Sequence, residues 1–555
     1  MREPGAVPAQ RPICNGIHTM STPPSRGRTL QMRAVKIGNG VLAAGLLALL
    51  AALLHNHFQI ITTAVPLDYF EGSMPLITGL IANGSNPYTF QWQPAYSDVY
   101  PPFYNLIVAP LSLLFGNTLQ LHRLVAGIFI LLSCALVWLA CRRAAATRLN
   151  SLAAASLCYG ALLFYATPVA STNSTGTLLF LASVLAPWAC GFSTRSLAFA
   201  LFCGLLAFYS KQYFGFGLAL VAGYLFVAVS KARGLGFAAL VGACTAASLV
   251  AVHLSSPYFL DNTVFSVGNS ASMLRSVEVL KRQLTFFGWS YLGLAPLLLA
   301  VAALSLYRID RTHPHLPWLD LGTLNAPLIL RPLNYFWFCF GGSSLLIVSF
   351  LGYNPGNFMT YLFQLMSPFL LIATFSMRSL QRPAAALAVP LILYCCYRSY
   401  MNLPRDFSYD AGAWQRVDQL IASHEHMLAS PILIMSLLDN GKPVYQDGHT
   451  FYFPMARSKP AFLEPANPER RVAAIWSRYM RDLYAKIDAR EFDLLLLTSW
   501  DVMGIFDPNP PEDAGIGGIE YLRQRYEVRE TITVSMTVRP GGGPHAMQIW
   551  VPKPR

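Results

Sequence analysis

Two carboxylates stand out in the run Asp68-Tyr69-Phe70-Glu71-Gly72, just after the first long apolar segment and before a polar loop that holds no Lys or Arg. On a helix, side chains three apart share a face with Cβ atoms about 5–6 Å from each other, so both acids could address one substrate. One would remove a proton while the other holds a hydroxyl or a cation. General-base assistance of this kind is worth ~10²–10⁴ in rate. The plainer alternative is that both acids solvate an interface, with Glu71-Gly72 capping a helix. Two cations join the list. Arg123 begins the second apolar segment, and Lys211-Gln212-Tyr213 forms a short polar junction between two others. Arg presents a planar fork to a phosphate and Lys a point charge, so Arg123, Lys211 and Gln212 are candidates for holding an anionic headgroup. The alternative for the cations is ordinary snorkelling to lipid headgroups.

Elements that can place these groups follow from composition. Of 555 residues 54% are hydrophobic and 12% charged, which describes a polytopic membrane protein. The formal charge is +13, yet residues 1–37 carry +5, 38–400 carry +10 and 401–555 carry −2, so the excess belongs to the membrane part and its basic tail rather than to a nucleic-acid surface. Windows of roughly 20 apolar residues predict eleven spans near 38–56, 120–141, 150–170, 175–191, 196–210, 213–230, 235–254, 286–307, 333–352, 359–377 and 383–400. With the basic N-terminus in the cytoplasm, eleven Lys or Arg side chains fall in the inner turns and four in the outer ones, the asymmetry of the positive-inside rule. An odd span count then puts the acid pair and the last 155 residues outside.

The chain therefore divides into a disordered basic tail (1–37), a transmembrane part (38–400) with an outer loop at 66–119, and an outward α/β domain (401–555). The apolar run after Gly40 ends in His55-Asn56-His57 without a small-residue cleavage site, which favours a retained anchor. Inside the loop, Met74 to Ile81 and Asn105 to Phe115 have helical spacing, and Tyr88 and Tyr100 belong to an aromatic set near the headgroups. A second outer segment, Ser255 to Thr285, reads as a solvated connector with an amphipathic helix from Ala271 to Leu284, or as a flap over the same cavity. In the last region Pro431–Met435 and Phe492–Thr498 read as buried strands, Trp414–His424 and Val472–Ile487 as helices, and Tyr526–Arg529 with Ala546–Val551 as paired strands.

Several patterns carry no chemistry. The ten cysteines lie at Cys14 or in predicted spans, so no outer disulfide framework forms and none has metal-ligand spacing. His424-Glu425-His426, Asp447-Gly448-His449 and His313-Pro314-His315 lack a third nearby ligand. Phosphate-loop, serine-hydrolase and zinc-protease motifs do not occur. The transmembrane part holds only seven acids, none in the middle of a span. Ion-coupled transporters keep ionisable groups near the bilayer midplane, whereas carboxylates gathered at one surface suit an interfacial enzyme.

The order of motifs resembles the GT-C class of membrane glycosyltransferases, which includes protein O-mannosyltransferases and bacterial lipid A aminoarabinose transferases. The likeness runs through Asp68-Tyr69-Phe70-Glu71-Gly72, Asn86-Pro87-Tyr88, Tyr100-Pro101-Pro102, Arg123-Leu124, Lys211-Gln212 and Gly352-Tyr353-Asn354-Pro355-Gly356-Asn357 with Tyr361, and so covers nearly all of the chain after residue 38. It implies a GT-C-like helical bundle that transfers a sugar from a polyprenyl-phosphate carrier to a glycan, lipid or protein acceptor at the outer face of the bacterial inner membrane. In that reading Asp68 is the base by position and Glu71 positions the acceptor, with the two roles exchangeable. Lys211, Arg123 and Gln212 bind the carrier phosphate, and Tyr88, Tyr100, Asn357 and Tyr361 line the cavity. Where many relatives have Arg-x-Asp this chain has Ser171-Thr172-Asn173-Ser174-Thr175. The outer acids are too sparse for a metal site, so no metal or cofactor is expected. A glycolipid transporter or a scaffold with an envelope-binding tail are the rival readings.

Overall fold

A computed structural model of the chain describes residues 26–89, 99–265 except 145, 165 and 166, then 277–285, 332–349, 407–446, 481–498, 519–534 and 545–554, with isolated positions between 351 and 402 and at 501. The long helices are α1 (Arg26–Thr62), α4 (Leu119–Arg143), α5 (Arg148–Leu162), α6 (Asn173–Ala189), α7 (Thr194–Ser210), α8 (Phe216–Tyr224) and α9 (Lys231–Ser255); α2 (Ser73–Ala82) and α3 (Phe103–Phe115) lie in the loop after α1. Then follow α10 (Val277–Thr285) and α11 (Pro332–Ser349). Among the described residues four helical stretches are long and apolar enough to cross a membrane: Lys36–Thr62, Leu119–Arg143, Gln212–Val229 and Lys231–Ser255. The predicted segments at 286–307, at 359–377 apart from residue 365, and most of 383–400 lie outside the described residues, so the count of eleven is not established.

Helix starts follow local chemistry. The hydroxyls of Thr118, Thr147, Ser193 and Ser230 each accept a backbone N–H in the first turn of α4, α5, α7 and α9, satisfying donors that a helix end leaves orphaned. Helices α6 and α7 form a hairpin whose turn places Gly191 and Phe192 at φ +61° and 56°. Leu, Val, Phe and small residues from α1, α4, α5, α6, α8 and α11 make one buried apolar cluster.

The C-terminal unit comprises α12 (Ala411–Ser423), β1 (Met427–Ala429), α13 (Ile434–Asp439), β2 (Leu494–Thr498), α14 (Ile519–Arg525), β3 (Tyr526–Val534) and β4 (His545–Pro552). Its sheet has the order β1-β2-β4-β3, with β1 parallel to β2 and the remaining pairs antiparallel. Strand β2 is buried on both faces, which explains its unbroken apolar run. Leu495 and Leu497 join Tyr521, Tyr526 and Trp550 on one side, while Leu494 and Leu496 join Trp414, Ile432 and Ile434 on the other. The reading of 431–435 as a strand is corrected: Pro431–Leu433 is a 3-10 turn that leads into α13. Proline's fixed φ pre-forms a first helical turn, and five apolar residues do not by themselves distinguish strand from helix.

Candidate active site

The acid motif occupies the turn between α1 and α2. The Asp68 Oδ1 accepts the N–H of Phe70 at 2.9 Å, and the Glu71 N–H donates to the Asp68 carbonyl at 3.1 Å. Within this tight turn Asp68 bonds back to its own backbone, while Glu71 reaches across to α4. Glu71 is 1% exposed and Arg123 0%. Nε of Arg123 donates to Glu71 Oε1 and one terminal nitrogen to Oε2, both at 2.7 Å. Each carboxylate oxygen also accepts a backbone N–H, from Ala170 at 3.0 Å and from Leu67 at 2.7 Å. The remaining Arg123 donors go to the carbonyls of Ile60, Thr63 and Val65 at the end of α1 and just beyond.

A guanidinium has five N–H donors, and here all five are spent on Glu71 and these carbonyls. Arg123 keeps none for a phosphate, which departs from its expected place on the carrier. Both carboxylate oxygens of Glu71 are likewise occupied by protein donors. Together the two fasten the acid turn to the start of α4 and to the segment before α6.

Lys211 follows the last residue of α7 and is 5% exposed. Its Nζ donates to Asn173 Oδ1 at 3.0 Å and stands 4.3 Å from the centre of the Tyr100 ring, with the Tyr213 ring at 5.5 Å. Aromatic faces attract a cation without neutralising it. Tyr88 supports this arrangement by donating its hydroxyl to the Tyr100 carbonyl at 2.6 Å. Gln212 departs from its expected role, because its side-chain amide donates to the carbonyls of Val99 and Thr263. Both N–H groups of that amide are thereby used, and Gln212 latches the loop before α3 to the segment after α9. Asn86 makes a parallel latch, donating to the Ser255 carbonyl and the Ser256 hydroxyl.

The expected outer segments thus gather at one end of the bundle. The short stretch 170–173 links the two halves of the site, since Ala170 N–H reaches Glu71 and Asn173 reaches Lys211. Asp68, 6% exposed, sits on the turn that Glu71 fastens there. Asn357 and Tyr361 lie outside the described residues. Among the described residues no three His, Cys, Asp or Glu side chains gather so as to hold a metal ion.

Two participants escape sequence reasoning. Asn173 has as signals its place in a polar run between apolar segments and its position where the resemblance expects Arg-x-Asp, neither of which names it as a partner of Lys211. Asp501 has less, being a lone acid shortly after an apolar strand; its carboxylate accepts the hydroxyl of Tyr69. Burial pushes the Asp501 carboxyl up, against the opposing pull of hydrogen bonds from Thr498 and Tyr69.

No protein-family model matches the sequence, and no curated protein matches it. Solved structures do. ArnT from Cupriavidus metallidurans bound to undecaprenyl phosphate aligns with a TM-score of 0.51 at 11% identity, over 91% of this chain and 97% of that one. The apo state of that ArnT gives 0.40 at 10% identity over 91% and 98%. The Archaeoglobus fulgidus oligosaccharyltransferase tethered to an acceptor peptide with an NVT sequon gives 0.44 at 10% identity over 90% and 74%. The first likeness shows a GT-C-like membrane fold along nearly the whole chain.

Proposed function

We propose that this GT-C-like chain is a glycosyltransferase of the bacterial inner membrane that moves a sugar from a polyprenyl-phosphate carrier to an envelope acceptor at the outer face. The observation that carries the reading is the link from the Asp68 turn through residues 170–173 to Lys211, which joins an acid and a buried cation at one end of an apolar bundle. The undecaprenyl phosphate bound to the similarly folded ArnT supplies the class of carrier.

In the proposed reaction the Asp68 carboxylate takes the proton of the acceptor hydroxyl. The acceptor oxygen bonds to the anomeric carbon from the face opposite the phosphate, and the bond from that carbon to the phosphate oxygen breaks. The electron pair leaves with the carrier phosphate, whose charge Lys211 stabilises, and the configuration inverts. Glu71 and Arg123 hold the turn that presents Asp68. Tyr88 and Tyr100 set the aromatic face under Lys211, and Asn357 and Tyr361 are retained as cavity residues from the sequence reading.

The test is transfer by the purified full chain, supplied with labelled polyprenyl-phosphate sugars and candidate acceptors. Formation of a new glycosidic bond is expected, falling by ~10²–10⁴ in Asp68→Asn while the chain stays folded. Movement of the lipid across a vesicle without a new bond would defeat the proposal, as would near wild-type turnover in Asp68→Asn.

A further inference from the structure

We infer that the C-terminal unit positions the acid turn, with Asp501 acting through Tyr69, so that residues 68–72 are held on one side by the bundle and on the other by the sheet domain. This rests on the proposed role of Asp68 as base.

Two residues of the motif, Tyr69 and Glu71, are fixed from opposite sides. Glu71 belongs to the bundle through Arg123 and Ala170. Tyr69 belongs to the C-terminal unit, because its hydroxyl donates to Asp501 Oδ1. Asp501 is in turn fixed at the end of β2: Oδ2 accepts the N–H and the hydroxyl of Thr498 at 2.6 and 2.7 Å, and the Asp501 N–H donates back to that hydroxyl at 3.2 Å. Such a closed pair gives a carboxylate of 3% exposure a set direction.

Gly72 adds a steric contact. A Cβ built there would stand 2.8 Å from Cβ of Ile434 and 3.2 Å from the Pro431 carbonyl, so the start of α13 rests on the motif's backbone. Around it Val65 and Leu76 are buried in the same cluster as Trp414, Ile434, Leu494 and Leu496, with Tyr69 packed against it. The acid loop therefore packs against the same apolar cluster that covers one face of β2. Asp68 lies inside this grip, and its direction is set by both partners. Displacing a reacting group by about 1 Å costs roughly a hundredfold in rate, so this contact bears on turnover more than on carrier binding.

The experiment compares Tyr69→Phe, Asp501→Ala and Asp501→Asn with wild type in the detergent-solubilised full chain, measuring amide hydrogen exchange and, on labelled polyprenyl-phosphate sugar, kcat and carrier KM. Tyr69→Phe and Asp501→Ala are expected to speed exchange at residues 67–73 while α4 exchanges as before. Their kcat should fall roughly ten- to hundredfold with carrier KM little changed. Asp501→Asn, which keeps one oxygen and can donate to the tyrosine oxygen, should restore most of both. Unchanged exchange at 67–73 in Tyr69→Phe would overturn the inference, and so would faster exchange with wild-type kcat. A wild-type chain that transfers no sugar would defeat the proposed function instead, and the exchange result would still decide whether the C-terminal unit sets the turn.

Discussion

A carboxylate and a guanidinium with no water around them are stable only while they satisfy each other. Glu71 and Arg123 do so with two hydrogen bonds and with backbone groups on every remaining site. Removing one partner leaves an uncompensated buried charge, so Glu71→Ala and Arg123→Ala should each destabilise the chain by about 3–5 kcal/mol. The double variant Glu71→Leu with Arg123→Met should lose much less than the sum, as read from thermal unfolding in detergent. Lys211 answers differently. Lys211→Met should leave the fold in place and weaken carrier-phosphate affinity by roughly ten- to a hundredfold, the size of a lost charge-assisted hydrogen bond of about 1.5–3 kcal/mol. Equilibrium binding of a polyprenyl phosphate measures it, and unchanged affinity would remove Lys211 from the phosphate. The sequence shows that Asp68, Glu71, Arg123 and Lys211 are rare charges at apolar boundaries. It does not show that two of them find each other across 52 positions, because pairing is decided by how α1 and α4 cross.

Helices place these side chains through close approaches that only a missing side chain permits. Gly176, in the first turn of α6, lies against the ring of Phe214 in the 3-10 turn Gln212–Gly215, and an added Cβ would stand 2.2 Å from Cδ2 of that ring. Phe214 is itself fully buried in the bundle core, so the turn after Lys211 would have to shift. Gly176→Ala is expected to cost about 1–3 kcal/mol by overpacking and to raise carrier KM, and thermal unfolding with steady-state kinetics checks both. Unchanged KM would separate the position of Lys211 from the α6 contact. Length and hydropathy made the long elements legible: α4, α7, α9 and the loop helices α2 and α3 fall close to their predicted places, while α1 covers its predicted span but begins at Arg26, inside the segment read as a disordered tail. Strand β2 was legible because a run buried on both faces is apolar throughout. The turn at Pro431 and strand β1 were not, since a three-residue strand has no period and Pro431–Met435 fits either element.

At the scale of the whole molecule, the acid turn is the seam between an apolar bundle and a mixed-sheet unit, and Asp501 is a charged group on the sheet side of it. Burial raises its carboxyl above the ordinary 3.8, with the hydrogen bonds from Thr498 and Tyr69 offsetting part of that shift. A carboxyl raised by folding favours its protonated form in the native state. Its stabilising contribution is therefore complete below the unfolded value and is lost as pH rises through the native one. Asn at this position cannot ionise and has no such dependence. The unfolding midpoint of the C-terminal unit in the wild-type chain should consequently fall, relative to Asp501→Asn, as pH is raised from 3.8 through the native-state value, and then level off. If the seam transmits this to the bundle, exchange at the acid turn should follow the same pH course in wild type and stay flat in Asp501→Asn. A constant difference in midpoint across that range would mean that the carboxylate's hydrogen bonds fully offset its burial, leaving the seam held by the packing of Val65, Leu76 and Gly72 against the sheet unit.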